Sequence, residues 1–270
     1  MSPRLFLHVL SVETRKLMSY RVEFWLNTAV GFLAQFGAIY FLWKAMFAES
    51  EHSIIGGYSF DEMLLYYVSA ILLTKLVRGR ERESALSQEI YEGSYTRYII
   101  YPTSFFRYKY AQHLGALAPA SVQVMVFGAA AAVAIGPRTL ETISMTSVAM
   151  TMVIVAIANL LHFVMKAPVE GVAFWADNVW SLDVMLRFII GILGGAMLPL
   201  DLYPTWAQEL LVWLPFQYIT YFPVRVLVGE VGGIDFAIGV AIALFWTAVF
   251  AGVVRIVWKR GDLQYTGVGI

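Results

Sequence analysis

Long apolar runs separated by short polar connections divide the chain. Six such runs are each long enough to cross a bilayer: about 22–47, 60–77, 105–135, 143–164, 182–200 and 234–258. A helix needs about 20 mostly apolar residues to span a hydrocarbon core about 30 Å thick. The pattern therefore predicts an all-α integral membrane protein with six transmembrane helices. Residues 1–21 lack a long apolar core, and Glu13, Arg15 and Lys16 interrupt them. That stretch is expected to be no cleavable leader. Its apolar residues, Leu5, Phe6, Val9, Leu10 and Leu17, suit an interfacial helix, although Glu13 falls among them.

The connections carry their own signals. Ser59-Phe60-Asp61-Glu62 is a helix start. Residues 80–92 have helical composition without glycine or proline, and Gly93 follows where a left-handed cap belongs. Leu86 and Ile90, four apart, form a small apolar ridge. The segment reads either as a solvated connector or as a docking helix for a soluble partner. Tyr101-Pro102 breaks the chain before the third span. In the fourth span Asn159, His162, Lys166 and Glu170 share one helical face. If the helix continues past Pro168, part of that polar face lies at membrane depth. If it ends near Met165, Lys166 snorkels to the interface. Gly191 and Gly195 in the fifth span allow close helix approach. Residues 198–233 are too long for a turn and too apolar for an ordinary loop. Prolines and glycine cut them into pieces at 205–214 and 216–228, each too short to cross. The economical reading is a pair of re-entrant half-helices, with Trp206, Trp213, Tyr218 and Tyr221 at the interface and Glu209 and Arg225 as polar contacts. An outer-surface helical hairpin is the other reading.

Composition agrees with a membrane domain: 59% of residues are hydrophobic and 14% charged. A soluble domain carries about a quarter charged residues. The 270 residues leave no room for a separate soluble domain, so one membrane domain, 1–270, is expected. Zero net charge points to no nucleic-acid partner. Without cysteine there is no disulfide, thiol catalysis or thiolate metal site. His8, His52 and His113 have no ligand spacing with His162, and no phosphate loop or Ser/His/Asp arrangement is present. The chain is thus expected to be no enzyme and to hold no cofactor or metal. With both ends inside, Arg138, Arg225 and Lys44 fall toward the outer face, and the other 16 of the 19 basic residues fall on or near the cytoplasmic side. The positive-inside rule favours that orientation. Trp25, Trp43 and Trp258 stand at span ends, as interfacial rings do.

The layout resembles the membrane subunit of type-2 ATP-binding-cassette exporters over nearly the whole chain. The local matches are Glu89-Ile-Tyr-Glu-Gly93, Tyr101-Pro102-Thr-Ser104, Ala173-Phe-Trp175, Leu198-Pro-Leu-Asp-Leu-Tyr-Pro-Thr-Trp206, Leu214-Pro-Phe-Gln-Tyr218, Tyr221-Phe-Pro223 and Trp258-Lys-Arg-Gly261 through Tyr265. The stretch from Lys166 to Glu170 departs from the pattern. The resemblance implies a cytoplasmic coupling helix within 78–104, formed by Arg82, Glu83, Leu86, Glu89, Ile90, Glu92 and Gly93. It implies an outer gate within 201–233, shaped by Pro204, Trp206, Glu209, Pro215, Tyr218 and Arg225. It also implies a second permease subunit, lipid contact, and cytoplasmic ATPase subunits that carry the ATP and Mg. The cargo would be amphipathic or lipid-linked, moved outward across a bacterial cytoplasmic membrane, with spans one, two and five lining its route. An ATP-independent scramblase and a membrane anchor for a signalling complex are the competing functions.

Overall fold

The computed structural model describes residues 2–50, 53–79, 86–101, 103–136 and 143–266. The described residues are helical, with three-residue and four-residue 3-10 turns between α-helices. Helix α1, Pro3–Ser19, starts where the Ser2 side chain accepts from Leu5 N, with Pro3 in the first turn. Its buried face is Val9, Glu13 and Leu17. Glu13 therefore does not spoil the stripe; it belongs to the packing face. A Cβ on Gly115 would stand 2.8 Å from Glu13 Cβ and from Leu10 O, so the missing side chain lets the backbones meet. Thr14 Oγ1 donates to Gly115 O at 2.8 Å and fastens the contact.

Helix α2, Arg21–Glu49, buries only Phe24 and Trp43. Helix α3, Phe60–Arg78, is the most enclosed, with Met63 through Ala70 all buried. Its start is a complete capping box between Ser59 and Glu62. Helices α4, Leu86–Tyr91, and α5, Thr96–Ile100, form the connection to α6, Phe105–Ile135. Gly93 is left-handed, at φ 70°, as the cap position requires. The coupling-helix residues Arg82 and Glu83 lie outside the described residues, as does Pro102.

Helix α7 spans Met145–Gly171, with Pro168 inside it. The reading that ends this span near Met165 is corrected: the helix runs on and passes into a 3-10 turn at Val172–Phe174. Helix α8 spans Trp180–Leu193. The expected fifth span to residue 200 is shortened, because Gly194 and Gly195 stop it. A Cβ on Gly194 would stand 2.8 Å from Phe216 O, and Gly195 sits at φ 82°. These glycines end a helix and admit a neighbouring backbone, rather than packing two long helices. Helices α9, Thr205–Leu211, and α10, Tyr221–Leu227, precede the long α11, Gly233–Asp262.

Among the described residues, four helices, α2, α6, α7 and α11, are long and apolar enough to cross a membrane. Helix α3 carries Asp61, Glu62, Lys75 and Arg78 toward its ends, and α8 has 14 residues. At 1.5 Å per residue α8 is about 21 Å long, short of the hydrocarbon thickness.

The core centres on α3. Tyr66 Oη donates to Gly195 O at 2.6 Å, and Tyr67 Oη to Met197 O at 3.0 Å. Thr74, near the far end of α3, lies 3.2 Å from Thr220. The chain between α9 and α10 therefore reaches about 21 Å along α3 from Phe60, counting 1.5 Å per residue. Trp43 and Trp258, expected at interfaces, are buried in the packing; Trp258 meets Phe106 edge-on at 4.7 Å.

Candidate functional site

The end of the bundle where α3 finishes and α6 begins is built around α4. Leu86 and Ile90 are 2% and 3% exposed and turn into a cluster with Phe105, Ala173, Phe174 and Trp258. The apolar ridge therefore faces its own bundle. The opposite side is open, with Gln88 and Glu92 exposed and joined at 2.6 Å. Ile99 and Ile100 on α5 are exposed as well.

Charge fastens the inward side. The buried Glu170 carboxylate of α7 accepts from the backbone N–H groups of Leu86 and Ser87, the latter at 3.1 Å. It satisfies amides that the first turn of a helix leaves without intrahelical partners. Lys166 lies 3.1 Å from Glu170 and 3.4 Å from Asp183 on α8, and Arg187 lies 3.2 Å from Asp183. The alternative in which Lys166 snorkels to water is thus replaced by an ion-pair chain from α4 through α7 to α8. Glu89 pairs with Lys109 on α6 and accepts from Ser94. Tyr95 donates to Asp262 at 2.6 Å, and Tyr265 donates to Gly93 O at 2.9 Å, which adds α11.

Burial alone would raise the Glu89 carboxyl. Hydrogen bonds from Lys109 and Ser94, with the charges of Lys109 and Arg97, outweigh it and hold the carboxyl below its usual range. A depressed carboxylate stabilises the fold above its unfolded value, about 4.3, and loses that contribution as pH falls through the lower folded value. Amide exchange in α4, corrected for intrinsic rate, is expected to be faster in Glu89→Gln than in the native chain, by a ratio that stays flat from about pH 8 to 5 and shrinks only in more acid solution. The ratio isolates Glu89, because Glu170 titrates in both proteins. A ratio near one at neutral pH would contradict the pairing.

The remaining polar face of α7 is interior. Asn159 Nδ2 donates to Leu76 O at 3.1 Å and Val77 O at 2.9 Å, closing carbonyls at the end of α3. Its side chain also meets His113 Nε2 at 2.8 Å and accepts from Tyr110 at 3.2 Å. His162 is buried and lines, with His113, Lys166 and Glu170, a cavity of about 20 Å³. That is room for about one water. No group of three or more metal-binding side chains occurs among the described residues.

At the opposite end, a cavity of about 310 Å³ is bordered by Asp201, Tyr218, Tyr221, Arg225 and Glu230. Asp201 accepts from Tyr58 at 2.5 Å and from Tyr221 at 2.7 Å. Arg225 donates to Glu230 at 2.8 Å and to Tyr221 at 3.3 Å. Of the expected gate residues, Tyr218 and Arg225 line this cavity and Pro215 is buried. Pro204, Trp206 and Glu209 are exposed on the approach to α9 and on α9 itself, and Arg225 takes Glu230 as its acid instead of Glu209. Sequence reasoning missed Asp201, Asp183 and Lys109. Asp201 alone had a local signal, a carboxylate amid an apolar proline-rich segment.

Between the two ends, a groove of about 620 Å³ lies between α2, α3 and α6, and one of about 400 Å³ continues toward α8. Gln35, Thr74, Arg78 and Arg187 border both.

A bundle of long apolar helices with a clamped surface helix is the architecture of a multi-pass membrane protein. The family description "ABC-2 family transporter protein" matches residues 33–269. The chain belongs to that family, as a permease subunit of the type-2 ATP-binding-cassette class. Among curated proteins, none matches it. Membership implies association with an ATP-binding-cassette ATPase and a non-catalytic role for this chain.

Proposed function

We propose that this chain is the membrane subunit of an ATP-driven exporter, pairing with a second permease subunit to move an amphipathic or lipid-like cargo outward. The observation that carries the reading is the clamp on α4. Its inward side is fastened to α6, α7 and α11 by Glu89, Glu170, Tyr95 and Gly93. Its outward side, with Gln88 and Glu92, is open. Force applied there by an ATPase is delivered to the bundle without slack, because the ties are buried and charged. Lys166 and Asp183 pass it to α8, which borders the groove with α2 and α3. ATP and Mg belong to the partner ATPase.

In this reading α3 and α8 complete a six-span topology with both ends in the cytoplasm of a bacterial cell. Their modest length and charged ends suit helices shielded by neighbours and by a second subunit. Helices α9 and α10 are re-entrant, and the depth of Thr220 against Thr74 supports that placement. Tyr221, Asp201 and Arg225 shape the outer gate.

Co-expression with an ATPase encoded beside this chain should give a stable complex whose hydrolysis responds to cargo. Charge reversal of Arg82, Glu83 and Glu92 together should remove that stimulation while the protein stays in the membrane. The chain alone in liposomes should move nothing. ATP-free lipid movement at a comparable rate would overturn the proposal in favour of a scramblase.

A further inference from the structure

The cavity of about 310 Å³ at the end opposite α4 has walls of two kinds. Along α11, Asp235, Ile238, Gly239 and Ile242 recur at helical spacing and form one side. A Cβ on Gly239 would stand 2.1 Å from Phe222 Cζ, so the bare backbone lets the Phe222 ring lie against the helix. Tyr218 and Tyr221 add two more rings. The polar side is acidic. Asp201, Glu230 and Asp235 border the space against one guanidinium, Arg225, and three minus one leaves two negative charges in excess. Glu230 matches Arg225 at 2.8 Å. Asp201 accepts one hydrogen bond on each oxygen, and a carboxylate has about four acceptor sites, so half remain. Asp235 makes no hydrogen bond or ion pair among the described residues.

Gln217 adds an independent sign. It is 5% exposed and borders the same cavity. Its Nε2 donates to Val212 O at 3.0 Å, while its Oε1 accepts from no donor among the described residues. A buried acceptor without a donor is costly, and an incoming N–H would satisfy it. A metal ion suits the place poorly, because no group of three or more metal-binding side chains occurs among the described residues. Aromatic faces beside acids favour an organic cation instead.

We propose that this cavity binds a free protonated amine on an apolar body. Its N–H groups meet Asp201, Asp235 and Gln217 Oε1, and its body lies against Tyr218 and Phe222. The inference rests on the exporter reading only in calling the amine cargo; the binding itself needs no ATPase.

The test is equilibrium dialysis of radiolabelled benzylamine against the full chain in dodecyl maltoside, with empty micelles subtracted. One benzylammonium per chain is expected, bound at least about tenfold tighter than benzyl alcohol or benzoate, the order expected of charge-assisted hydrogen bonds. Asp235→Asn and Phe222→Leu should each weaken it about threefold, the loss expected from one partly exposed charge or one cation–aromatic contact. Asp61→Asn removes an exposed acid outside the cavity, at the start of α3, and should change nothing. Equal binding of benzyl alcohol or benzoate overturns the proposal, because the cavity would then read only the ring. Displacement by micromolar calcium overturns it in favour of a metal site. Competition by lysophosphatidylethanolamine, whose ammonium adjoins a phosphate, overturns it in favour of a lipid head group. Should a variant fail to fold, the ligand arms on the native chain still decide. Absent binding with an intact ATPase complex rejects this inference alone. Binding with no complex rejects the exporter reading alone.

Discussion

Glu170→Ala is expected to release α4 from the bundle and to abolish cargo-dependent stimulation of a partner ATPase. The carboxylate accepts from Leu86 N and Ser87 N and also pairs with Lys166, all in a buried setting. Its removal strands two amides and half of the Lys166 pairing, although Asp183 still faces that ammonium at 3.4 Å. Breaking a buried pair costs about 3–5 kcal/mol. The surviving Asp183 contact places this variant toward the lower end. Most of that cost is local, because the helices behind the clamp keep their apolar packing. Amide exchange over residues 86–91 should therefore accelerate by more than about a hundredfold, since each 1.4 kcal/mol is a factor of ten. Glu170→Gln keeps one acceptor oxygen and should fall between. Unchanged exchange in α4 for the alanine variant would show that the apolar contacts of Leu86 and Ile90 hold the helix by themselves.

Gly195→Ala should lower the thermal unfolding midpoint of the detergent-solubilised protein markedly. Two penalties coincide. The backbone at φ 82° disfavours any L side chain, at about 1–2 kcal/mol. The new Cβ would also stand 2.8 Å from both Tyr221 Cβ and Tyr66 Oη, and Tyr66 donates to this residue's own carbonyl. Overpacking adds about 1–3 kcal/mol. The sum, about 2–5 kcal/mol, removes a large share of the stability of a typical domain. Gly31→Ala, where nothing lies within 4 Å, is the matched control and should be neutral or slightly stabilising. Equal midpoints for the two variants would mean that the turn after α8 bears no strain.

Most helices were legible because a long apolar run has one low-energy answer in lipid. Backbone polar groups must be satisfied within the segment, so 22–47, 105–135 and 234–258 correspond closely to α2, α6 and α11. The Ser59–Glu62 capping box and Gly93 were legible for a different reason: their partners lie within a few residues. The ends of α7 and α8 were not. Pro168 alone argues for a stop, yet the helix passes it and presents Glu170 to α4. The apolar run to residue 200 argues for continuation, yet Gly194 halts it where the backbone of Phe216 approaches.

The candidate site divides along the same line. Leu86 and Ile90 announce an apolar ridge, but their spacing is the same whether the ridge meets a partner or its own bundle. Packing against Phe174 and Trp258 decided for the bundle. Lys109, Asp183 and Asp201 acquire their roles from residues 20, 17 and 143 positions away: Glu89, Lys166 and Tyr58. No local pattern encodes those distances.

Residue order alone determined that the chain is helical, lives in lipid, and turns at particular glycines and serines, because hydrophobic transfer and nearby hydrogen bonds depend on neighbours along the chain. Tertiary structure decided which face of α4 is open, which acid each buried cation meets, and where a groove remains between helices. Those outcomes depend on groups far apart in sequence, since an unpaired charge or amide in a water-poor interior costs enough to select one packing over others.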